Sequence, residues 1–378
     1  MIFTRKKDFY ASLKISSLAV LLLAPLYFPV NAETSESSEP MVIESVLEWA
    51  KGIMQTSNSE MARQILSEWI LPPTAPSPND KPVDPQKVEL GKMLFFDPRL
   101  SGDGKISCST CHNPALGWSD GLPTGRGHNG KVLPRATPTI INVGFNNIFM
   151  WDGREESLES QATGPIVNPD EMHNSVENLI NTLKSIPGYV KEFNKAFYGL
   201  GINVTRYRTA LAMYQREVVA HNSPFDRWIQ GDAKAMTAQQ VRGFEIFRDP
   251  GKGNCMVCHR PPNFTDNGFH NIGLPSFGRK NPDEGRFGQI AVDMSRGAFK
   301  TPPLRNVAQT APYFHDGSAK TLMDVVNHYT TGGVVKTNLS PNMIKPNLST
   351  QDKKDLVAFL QALTGEIDPA LTKVTLPK

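Results

Sequence analysis

The stretch KGNCMVCHRP, residues Lys252–Pro261, contains two cysteines three positions apart, with a histidine directly after the second. A second stretch, ISCSTCHNP at Ile106–Pro114, repeats this Cys-x-x-Cys-His pattern. The chain of 378 residues has 4 cysteines, and these two stretches contain all of them. A common role for the two stretches must explain both the cysteine pairs and the histidine that follows each pair.

Four kinds of chemistry use closely spaced cysteines. Disulfides suit an exported protein, redox-active pairs belong mostly to βα units, and a zinc site would need its four ligands closer together. None of these requires the histidine. A c-type haem does, because the two sulfurs bond to the vinyl groups on one haem edge while the histidine ligates the iron. The sequence therefore favours two covalently attached haems, held by Cys108, Cys111 and His112 and by Cys255, Cys258 and His259.

The first 32 residues resemble a secretory signal peptide, with a basic start, an apolar run and a small-residue cleavage site. The run is short for a membrane span and contains Pro25 and Pro29, which favours cleavage over an uncleaved anchor. This segment carries the whole formal excess of +3 charges, so the rest of the chain is balanced and has no electrostatic reason to bind nucleic acid. We expect a periplasmic protein with no stable membrane span after cleavage.

The remaining chain divides into an extension and a repeat. Residues 33–84 show apolar positions at helical spacing and then the Pro-rich stretch PPTAPSPNDKPVDP, which predicts a helical extension and a linker. Beyond it, GKMLFFDPRLSGDGKISCSTCH aligns with GFEIFRDPGKGNCMVCH, with glycine, phenylalanine, aspartate and proline at the same spacing. A repeat of this length predicts two copies of one domain, at 85–232 and 233–378.

The pattern of the closing helices predicts a mostly α fold of two cytochrome c-like domains with long loops. The last helix is expected to start at an N-cap, Ser349, with Asp352 three residues later, and to stop at Gly365. RYRTALAMYQREVVA is a candidate for the same closing role in the first copy. No run of alternating apolar and polar residues indicates a sheet.

Two further stretches, MWDGREESLESQATGPIVNPDEM and FKTPPLRNVAQTAPYFHDGSAKTL, resemble bacterial di-haem cytochrome c peroxidases and their MauG relatives. The resemblance covers roughly residues 90–365 and includes both haem motifs in the family's order. It implies a peroxidatic first haem and an electron-transfer second haem. It also implies hydrogen peroxide as substrate and a small c-type cytochrome or cupredoxin as electron donor.

The resemblance assigns roles to residues around the first haem. Trp151 matches a tryptophan between the haems that relays electrons, although a tryptophan is more often simply a core residue. Gln161 and Glu171 match distal-pocket residues, and Pro165 matches a pocket-lining proline. A carboxylate can move a proton between the two peroxide oxygens, while an amide can orient peroxide without titrating.

His128, sixteen residues after His112, matches a histidine that blocks the peroxidatic iron of typical members until the enzyme is reduced. MauG-like members keep this position open. A histidine in a glycine-rich loop is also commonly just solvent-exposed, so ligation of the first iron and exposure both stay open.

The largest departure from typical members concerns the second axial ligand of the electron-transfer haem. Typical members have a methionine fourteen residues after the histidine of the PYFH motif, which is His315 here, and this chain has Tyr329 there, as MauG-type proteins do. The alternative is that Tyr329 only packs and that Met323 or His328 ligates the iron. Methionine stabilises Fe(II), whereas an anionic phenolate should stabilise ferric and higher states. This position favours MauG-like chemistry.

The resemblance also implies calcium between the domains, bound by one asparagine side chain and two backbone carbonyls. Thr310 and Pro312 match the carbonyl positions, but Ala136 occupies the asparagine position. Calcium prefers six to eight oxygens, so the site should be weakened unless water substitutes.

Three functions compete. The leading hypothesis is a di-haem peroxidase that reduces H₂O₂ with electrons relayed through the second haem. The second is a MauG-like oxidase that uses an oxidised di-haem state to modify a partner protein. The third is an electron carrier or sensor without catalysis, which would not need the pair Gln161 and Glu171.

Overall fold

The structure is a computed structural model, and it describes residues 68–77 and 82–378. The signal peptide predicted at 1–32 and most of the extension predicted at 33–84 lie outside the described residues. Within the described part, no helix is both long enough and apolar enough to span a membrane.

Helices dominate the described residues, which confirms the predicted mostly α class. The α-helices are α1 Pro85–Phe96, α2 Cys108–Cys111, α3 Leu158–Gln161, α4 Gly164–Val167, α5 Val176–Ser185, α6 Pro187–Ala196, α7 Val204–Glu217, α8 Pro224–Ile229, α9 Ala238–Arg248, α10 Phe287–Ile290, α11 Leu322–Thr331 and α12 Thr350–Ala362. The 3₁₀ helices are Pro98–Leu100, Pro114–Leu116, His128–Gly130, Val143–Phe145, Cys255–Val257, Pro275–Gly278, Asp293–Ser295, Val307–Gln309 and Pro369–Thr372. One small antiparallel sheet pairs β1 Phe269–His270 with β2 Phe299–Lys300.

Capping residues set where the repeated helices begin. Asp84 accepts the backbone N–H of Gln86 at 3.0 Å, and Pro85 occupies the first turn of α1, where its missing N–H costs nothing. Thr237 and Gln240 form a reciprocal capping box at the start of α9. Both helices end directly before the Asp-Pro pair of the sequence repeat.

The glycine of the sequence repeat is explained by helix crossing. A Cβ at Gly91 in α1 would lie 2.0 Å from the Ala210 carbonyl oxygen in α7. A Cβ at Gly243 in α9 would lie 1.9 Å from the Asp355 carbonyl oxygen in α12. Each copy therefore brings its first helix against a later helix at backbone contact distance, and the helix expected from RYRTALAMYQREVVA is confirmed as α7.

The last helix starts as predicted and ends differently. Ser349 caps α12 and shares a capping box with Asp352. The helix stops at Ala362, so Gly365 is not its cap. A Cβ at Gly365 would lie 2.5 Å from the His221 carbonyl oxygen. This glycine is required by a close approach of two chain segments and not by helix termination.

The two largest of the four hydrophobic clusters among the described residues lie in different parts of the chain. The first core surrounds α1, α6 and α7, and its fully buried members include Phe95, Tyr189, Phe193, Tyr207 and Tyr214. The second core surrounds α9, α11 and α12, and its fully buried members include Phe225, Phe244, Phe247, Phe264 and Phe359. The division into domains at 85–232 and 233–378 stays a prediction.

The C-terminal tail, residues 369–378, returns to the first core. The Tyr214 hydroxyl donates to the Leu371 carbonyl at 2.8 Å, and Arg99 donates to the Pro377 carbonyl at 2.9 Å. The Gly188 N–H donates to the Lys378 carbonyl at 2.8 Å. Conversely, Trp69, which precedes α1, packs edge-on against Phe244 of the second core at 5.2 Å. The ends of the described chain therefore tie each core to a distant segment.

Candidate functional site

The first cysteine pair occupies one turn of helix. Ser107 and Thr110 form a capping box that starts α2, so Cys108 and Cys111 lie one turn apart with His112 directly after them. All four cysteines of the chain are free thiols, and each is partly buried. The disulfide alternative therefore finds no support.

The ring of His112 is oriented by backbone carbonyls. Its Nδ1 donates to the Trp118 carbonyl at 3.3 Å, and the Pro138 carbonyl also bonds to the ring. Burial lowers the pKa of His112 despite these bonds and the nearby Asp120 carboxylate. A neutral imidazole with its proton on Nδ1 presents a lone pair on Nε2, which is the form that binds a metal.

The ring of His259 has the same arrangement. Its Nδ1 donates to the Phe264 carbonyl at 2.9 Å, and the Pro302 carbonyl bonds to the ring as well. Burial lowers the pKa of His259 to about 4. Both histidines are thus neutral and oriented in the same way, although the two Cys-x-x-Cys segments differ, since Cys255–Val257 is a 3₁₀ helix.

This donor set fits a covalently held haem at each motif. Two free thiols one helical turn apart and a neutral, oriented imidazole are the three protein groups that a c-type haem needs. A second observation comes from Tyr207, which is fully buried and whose hydroxyl has no hydrogen-bond partner among the residues that the structure describes. Its pKa is raised by burial and then by nearby Cys108, so this unpaired hydroxyl lies close to the first motif.

Glu171 is brought to the first motif by a loop that follows α4. Its carboxylate accepts a hydrogen bond from the Asn168 side chain at 2.7 Å. Burial raises the pKa of Glu171, and the Asn168 bond and the Arg154 charge oppose this only partly. The same carboxylate contributes to the raised pKa of Cys111, which places it near that sulfur. The predicted acid–base residue therefore lies beside the predicted haem edge.

Gln161 and Pro165 are held by two short helices in the same loop region. Gln161 ends α3, and its backbone N–H donates to the Ser157 carbonyl at 3.1 Å. Among the described residues its side-chain amide has no hydrogen-bond partner. The Pro165 carbonyl accepts from the N–H of Met172 at 3.1 Å, which ties Pro165 to the segment that carries Glu171.

The ring of His128 has contacts on its face and at Nε2, but its buried Nδ1 has no hydrogen-bond partner among the described residues. Its ring stacks on His173 with centroids 4.4 Å apart and an angle of 10°. Its Nδ1 lies 3.6 Å from the Asp103 carboxylate, and its Nε2 lies 2.9 Å from the Asn129 amide. Its backbone N–H donates to the Asp170 carbonyl at 3.0 Å. Whether His128 ligates the first iron stays open, and its contact with His173 was not expected from the sequence.

Trp151 lies where the two halves of the described chain meet. Its indole N–H donates to the Ala136 carbonyl at 2.9 Å, and its own carbonyl accepts from the N–H of Lys300 in β2 at 2.8 Å. Its ring makes an edge contact with His315 at 6.4 Å. The His315 ring in turn stacks on Phe299 at 3.5 Å, and burial lowers the pKa of His315 to about 4.

A network of ion pairs and hydrogen bonds surrounds the loop that carries Trp151. This junction network consists of Arg135, Asp152, Arg154, Asp283 and Arg286. Arg135 donates to Asp152 at 2.7 Å and to Asp283 at 2.7 Å. Arg154 adds a second bond to Asp152 at 2.9 Å. Arg286 donates to the Gly153 carbonyl at 2.7 Å. The network joins residues 135–154 to residues 283–286. It thereby fixes Trp151 where these two segments meet.

Tyr329 projects from α11 toward the second motif. Burial raises the pKa of its hydroxyl well above the ordinary value, and the neighbouring Cys258 and Cys255 raise it further. By contrast, His328 donates from Nε2 to the Ile272 carbonyl at 2.8 Å, so this nitrogen already has a hydrogen-bond partner. Met323 lies almost two turns earlier on α11. Tyr329 is thus a buried hydroxyl near both cysteines of the second motif, and its ligation of the iron stays a prediction.

A second repeat, absent from the sequence interpretation, gives an independent argument for Tyr329. TPTIINVGFNNIFMWDG at 137–153 aligns without gaps with TPPLRNVAQTAPYFHDG at 301–317. The backbone conformation agrees with this alignment. Asn142 and Asn306 both adopt left-handed conformations, with φ of 58° and 60°. Met150 and Phe314 do the same, with φ of 68° and 71°. The shared Thr-Pro, Asn-Val and Asp-Gly pairs could have revealed this repeat.

The second repeat aligns Trp151 with His315. Fourteen residues after this pair, the two aligned residues differ in whether their side chains can bind a metal. Ser157 and Thr321, each six residues after that pair, cap α3 and α11. The next matched positions, fourteen residues after the pair, are Pro165 and Tyr329. Proline has no side-chain donor atom, whereas tyrosine offers an oxygen. If Tyr329 ligates the second iron, the matched Pro165 supplies no equivalent ligand to the first.

The proposed calcium position offers few oxygens. Ala136 is buried, its N–H donates to the His315 carbonyl at 2.7 Å, and its carbonyl is used by Trp151. The hydroxyl of Thr310 donates to the Val307 carbonyl at 3.1 Å. Calcium binding through the carbonyls of Thr310 and Pro312 stays a prediction.

Comparison with known proteins agrees with this geometry. A family model described as di-haem cytochrome c peroxidase matches residues 85–234. The chain is 44% identical over 308 residues to the methylamine utilization protein MauG of Methylorubrum extorquens, covering 81% of this chain and 85% of that protein. The chain belongs to the di-haem cytochrome c peroxidase family.

Other members of the family carry different names. Cytochrome c551 peroxidase of Nitrosomonas europaea is 36% identical over 323 residues, covering 85% of this chain and 91% of that protein. The crystal structure of a MauG-like protein associated with microbial copper homeostasis superposes with a TM-score of 0.75 and 30% identity, covering 81% of this chain and 97% of that one. Family membership makes this chain a haem-dependent oxidoreductase and leaves its activity between the peroxidase and MauG branches.

Proposed function

We propose that this chain is a periplasmic di-haem peroxidase. Hydrogen peroxide would react at the haem held by Cys108, Cys111 and His112. A small c-type cytochrome or cupredoxin would supply electrons through the haem held by Cys255, Cys258 and His259. Haem, when bound, supplies the iron that activates peroxide and stores oxidising equivalents. Side chains would move the proton, orient the peroxide and pass electrons between the two centres.

Glu171 is the observation that carries this proposal. A carboxyl group that is partly buried, has a raised pKa and acts electrostatically on Cys111 is suited to general acid–base work. It would take a proton from one peroxide oxygen and return it to the other. An electron carrier has no use for such a group. Gln161, whose amide has no partner within the described residues, would orient the peroxide.

Trp151 would connect the two centres. It contacts both halves through backbone hydrogen bonds and is fixed by the junction network, so its ring cannot move far when its charge changes. Its indole N–H bond to the Ala136 carbonyl stabilises a positively charged ring. This supports a role in passing single electrons between the haems.

The test has a structural and a kinetic part. Intact mass of the mature protein should exceed that of the polypeptide by two haems, and Cys255→Ser with Cys258→Ser should remove one of them from covalent attachment. Steady-state peroxide consumption should be supported by reduced cytochrome c. A protein that carries both haems but turns over no peroxide with any reduced donor would contradict the proposal.

The second candidate is a MauG-like oxidase that modifies a partner protein. Tyr329 favours it, because a phenolate ligand stabilises oxidised iron and makes the second haem a better place to hold an oxidising equivalent. Titration of the fully ferric protein with H₂O₂ separates the two. A long-lived oxidised state at both haems, reached without prior reduction, would support the oxidase. Trp151→Phe should then uncouple the second haem from peroxide.

A further inference from the structure

Lys300 is a buried cation that has no counter-ion in the described part of the chain. Only 7% of its surface is exposed. Its ammonium donates one hydrogen bond, to the Thr301 carbonyl at 3.1 Å. Within residues 68–77 and 82–378, no carboxylate lies within 4.0 Å of it. Asp266, the carboxylate that acts on it most, is paired with His270 at 2.8 Å.

Such an arrangement is unfavourable unless a partner is added. Removing an ammonium from water without a neighbouring negative charge is strongly destabilising, and one carbonyl does not compensate for it. Burial accordingly lowers the pKa of Lys300 to about 8. Buried lysines are normally paired. The position therefore calls for an anion that residues 68–77 and 82–378 do not provide.

The location of Lys300 identifies the class of anion. Its backbone N–H donates to the Trp151 carbonyl at 2.8 Å. Two residues later, the Pro302 carbonyl bonds to the ring of His259. Lys300 thus lies between the tryptophan at the junction and the second haem motif. The anions that a haem brings to its protein are its two propionate carboxylates.

We propose that the ammonium group of Lys300 is the counter-ion of a propionate of the haem held by His259. The inference rests on the proposed attachment of a haem at that motif. It adds a charged residue to the binding site of this cofactor. In the second repeat the position matched to Lys300 is Ala136, which carries no charge.

This asymmetry has a consequence for electron distribution. Tyr329 would bring a negative charge to the second iron and favour its oxidised form. Lys300 places a positive charge near the same haem and offsets part of this effect. Without Lys300, the second haem should be harder to reduce, while the first haem, whose matched position is Ala136, should change little.

The test is a potentiometric titration of the holoprotein, followed by the absorption spectrum of each haem. Lys300→Met should lower the ratio of ferrous to ferric second haem at fixed potential by about tenfold, the effect of a unit charge within roughly 10 Å at an effective dielectric constant of about 20. Lys300→Arg should retain the wild-type ratio. Lys354→Met, at an exposed lysine of α12, is the matched control and should also retain it.

The outcomes separate this inference from the proposed function. Absence of a second covalent haem in the wild type, seen by intact mass, would refute the attachment itself. Two haems with an unchanged ratio in Lys300→Met, or in the milder Lys300→Gln, would refute the role of Lys300 alone. If neither variant matures, redox-difference infrared spectra of the wild type decide. Ionised, ion-paired propionate should be seen at neutral pH, and protonated propionates on both haems would overturn the proposal.

Discussion

Glu171 illustrates how a single side chain acquires a function from its surroundings. Burial raises its pKa, while its hydrogen bond from Asn168 holds the carboxylate in one orientation. The ionised form is the one that can accept a proton. The rate of peroxide activation should therefore fall as the pH falls through a pKa above the ordinary glutamate value, and should be constant above it.

Glu171→Gln should remove this acid limb and slow peroxide activation by about 10²–10⁴-fold, because an amide cannot carry the proton. The measurement is stopped-flow mixing with H₂O₂ across a pH series. Glu177→Gln, on the exposed side of α5, is the control and should leave both rate and pH profile unchanged. Wild-type rates in Glu171→Gln would remove this residue from the mechanism.

Tyr329 should determine the spectrum of the second haem. The protein alone raises the pKa of its hydroxyl, so a phenolate can form there only if a positive charge, such as ferric iron, compensates. Tyr329→Phe should open the site, and Tyr329→Met should raise the potential of that haem, since a thioether favours Fe(II).

Near-infrared and electron paramagnetic resonance spectra of the resting protein check this assignment. A phenolate charge-transfer band should disappear in Tyr329→Phe, and the band of Fe–Met bonding should appear only in Tyr329→Met. Met323→Leu should change neither spectrum. An Fe–Met band in the wild type would show instead that Met323 or another methionine is the ligand.

Residue types were easier to predict than residue contacts. The sequence predicted Cys-x-x-Cys-His chemistry because covalent attachment requires that spacing. It did not predict the stack of His128 on His173, because the two are far apart in sequence and meet only when the loop around Gly127 folds against Asp170. It also missed Lys300, since a lysine normally indicates an exposed position.

At the scale of helices, the crossings at Gly91 and Gly243 are the tightest constraints. Gly243→Ala should lower the free energy of unfolding by at least about 1–3 kcal/mol, because the added methyl meets backbone atoms of Asp355 and not a flexible side chain. Gly288→Ala, where nothing lies within 4 Å, is the control. Thermal unfolding of the two haem-loaded variants measures the difference.

An unchanged melting temperature in Gly243→Ala would mean that the helices can separate without cost, which the 1.9 Å contact argues against. Helix positions were largely predictable, because caps and apolar spacing are local properties of the chain. The end of α12 at Ala362 was not predictable. Gly365 is required by its close contact with His221, about 140 residues away in sequence, and not by helix termination.

At the scale of the whole molecule, the junction network links residues 135–154 to residues 283–286. Arg135 is mostly buried, at 19% side-chain exposure, and serves both Asp152 and Asp283. Arg135→Gln leaves two carboxylates without their shared partner, and breaking a buried ion pair typically costs about 3–5 kcal/mol. We expect a clearly lower melting temperature and slower electron transfer between the haems.

Arg154→Gln is the matched control for Arg135→Gln. Arg154 bonds to the same Asp152 but is exposed to 36% of its side-chain area and, among the described residues, forms no ion pair with residues 233–378. Its loss should cost at most about 1 kcal/mol. Equal destabilisation by the two variants, in calorimetry of the haem-loaded proteins, would contradict the role assigned to Arg135.

The return of residues 369–378 to the first core has a consequence for the order of events during synthesis. A ribosome completes Tyr214 long before Leu371, and at about 5–20 residues per second the delay is roughly 8–30 s. During this interval Tyr214, Arg99 and Gly188 lack the carbonyls that they bond in the finished protein. The first half of the polypeptide would thus remain incompletely closed while the second half is still being made. For a chain exported with its N-terminal half first, attachment machinery would reach Cys108 and Cys111 before residues 369–378 arrive to close the first core.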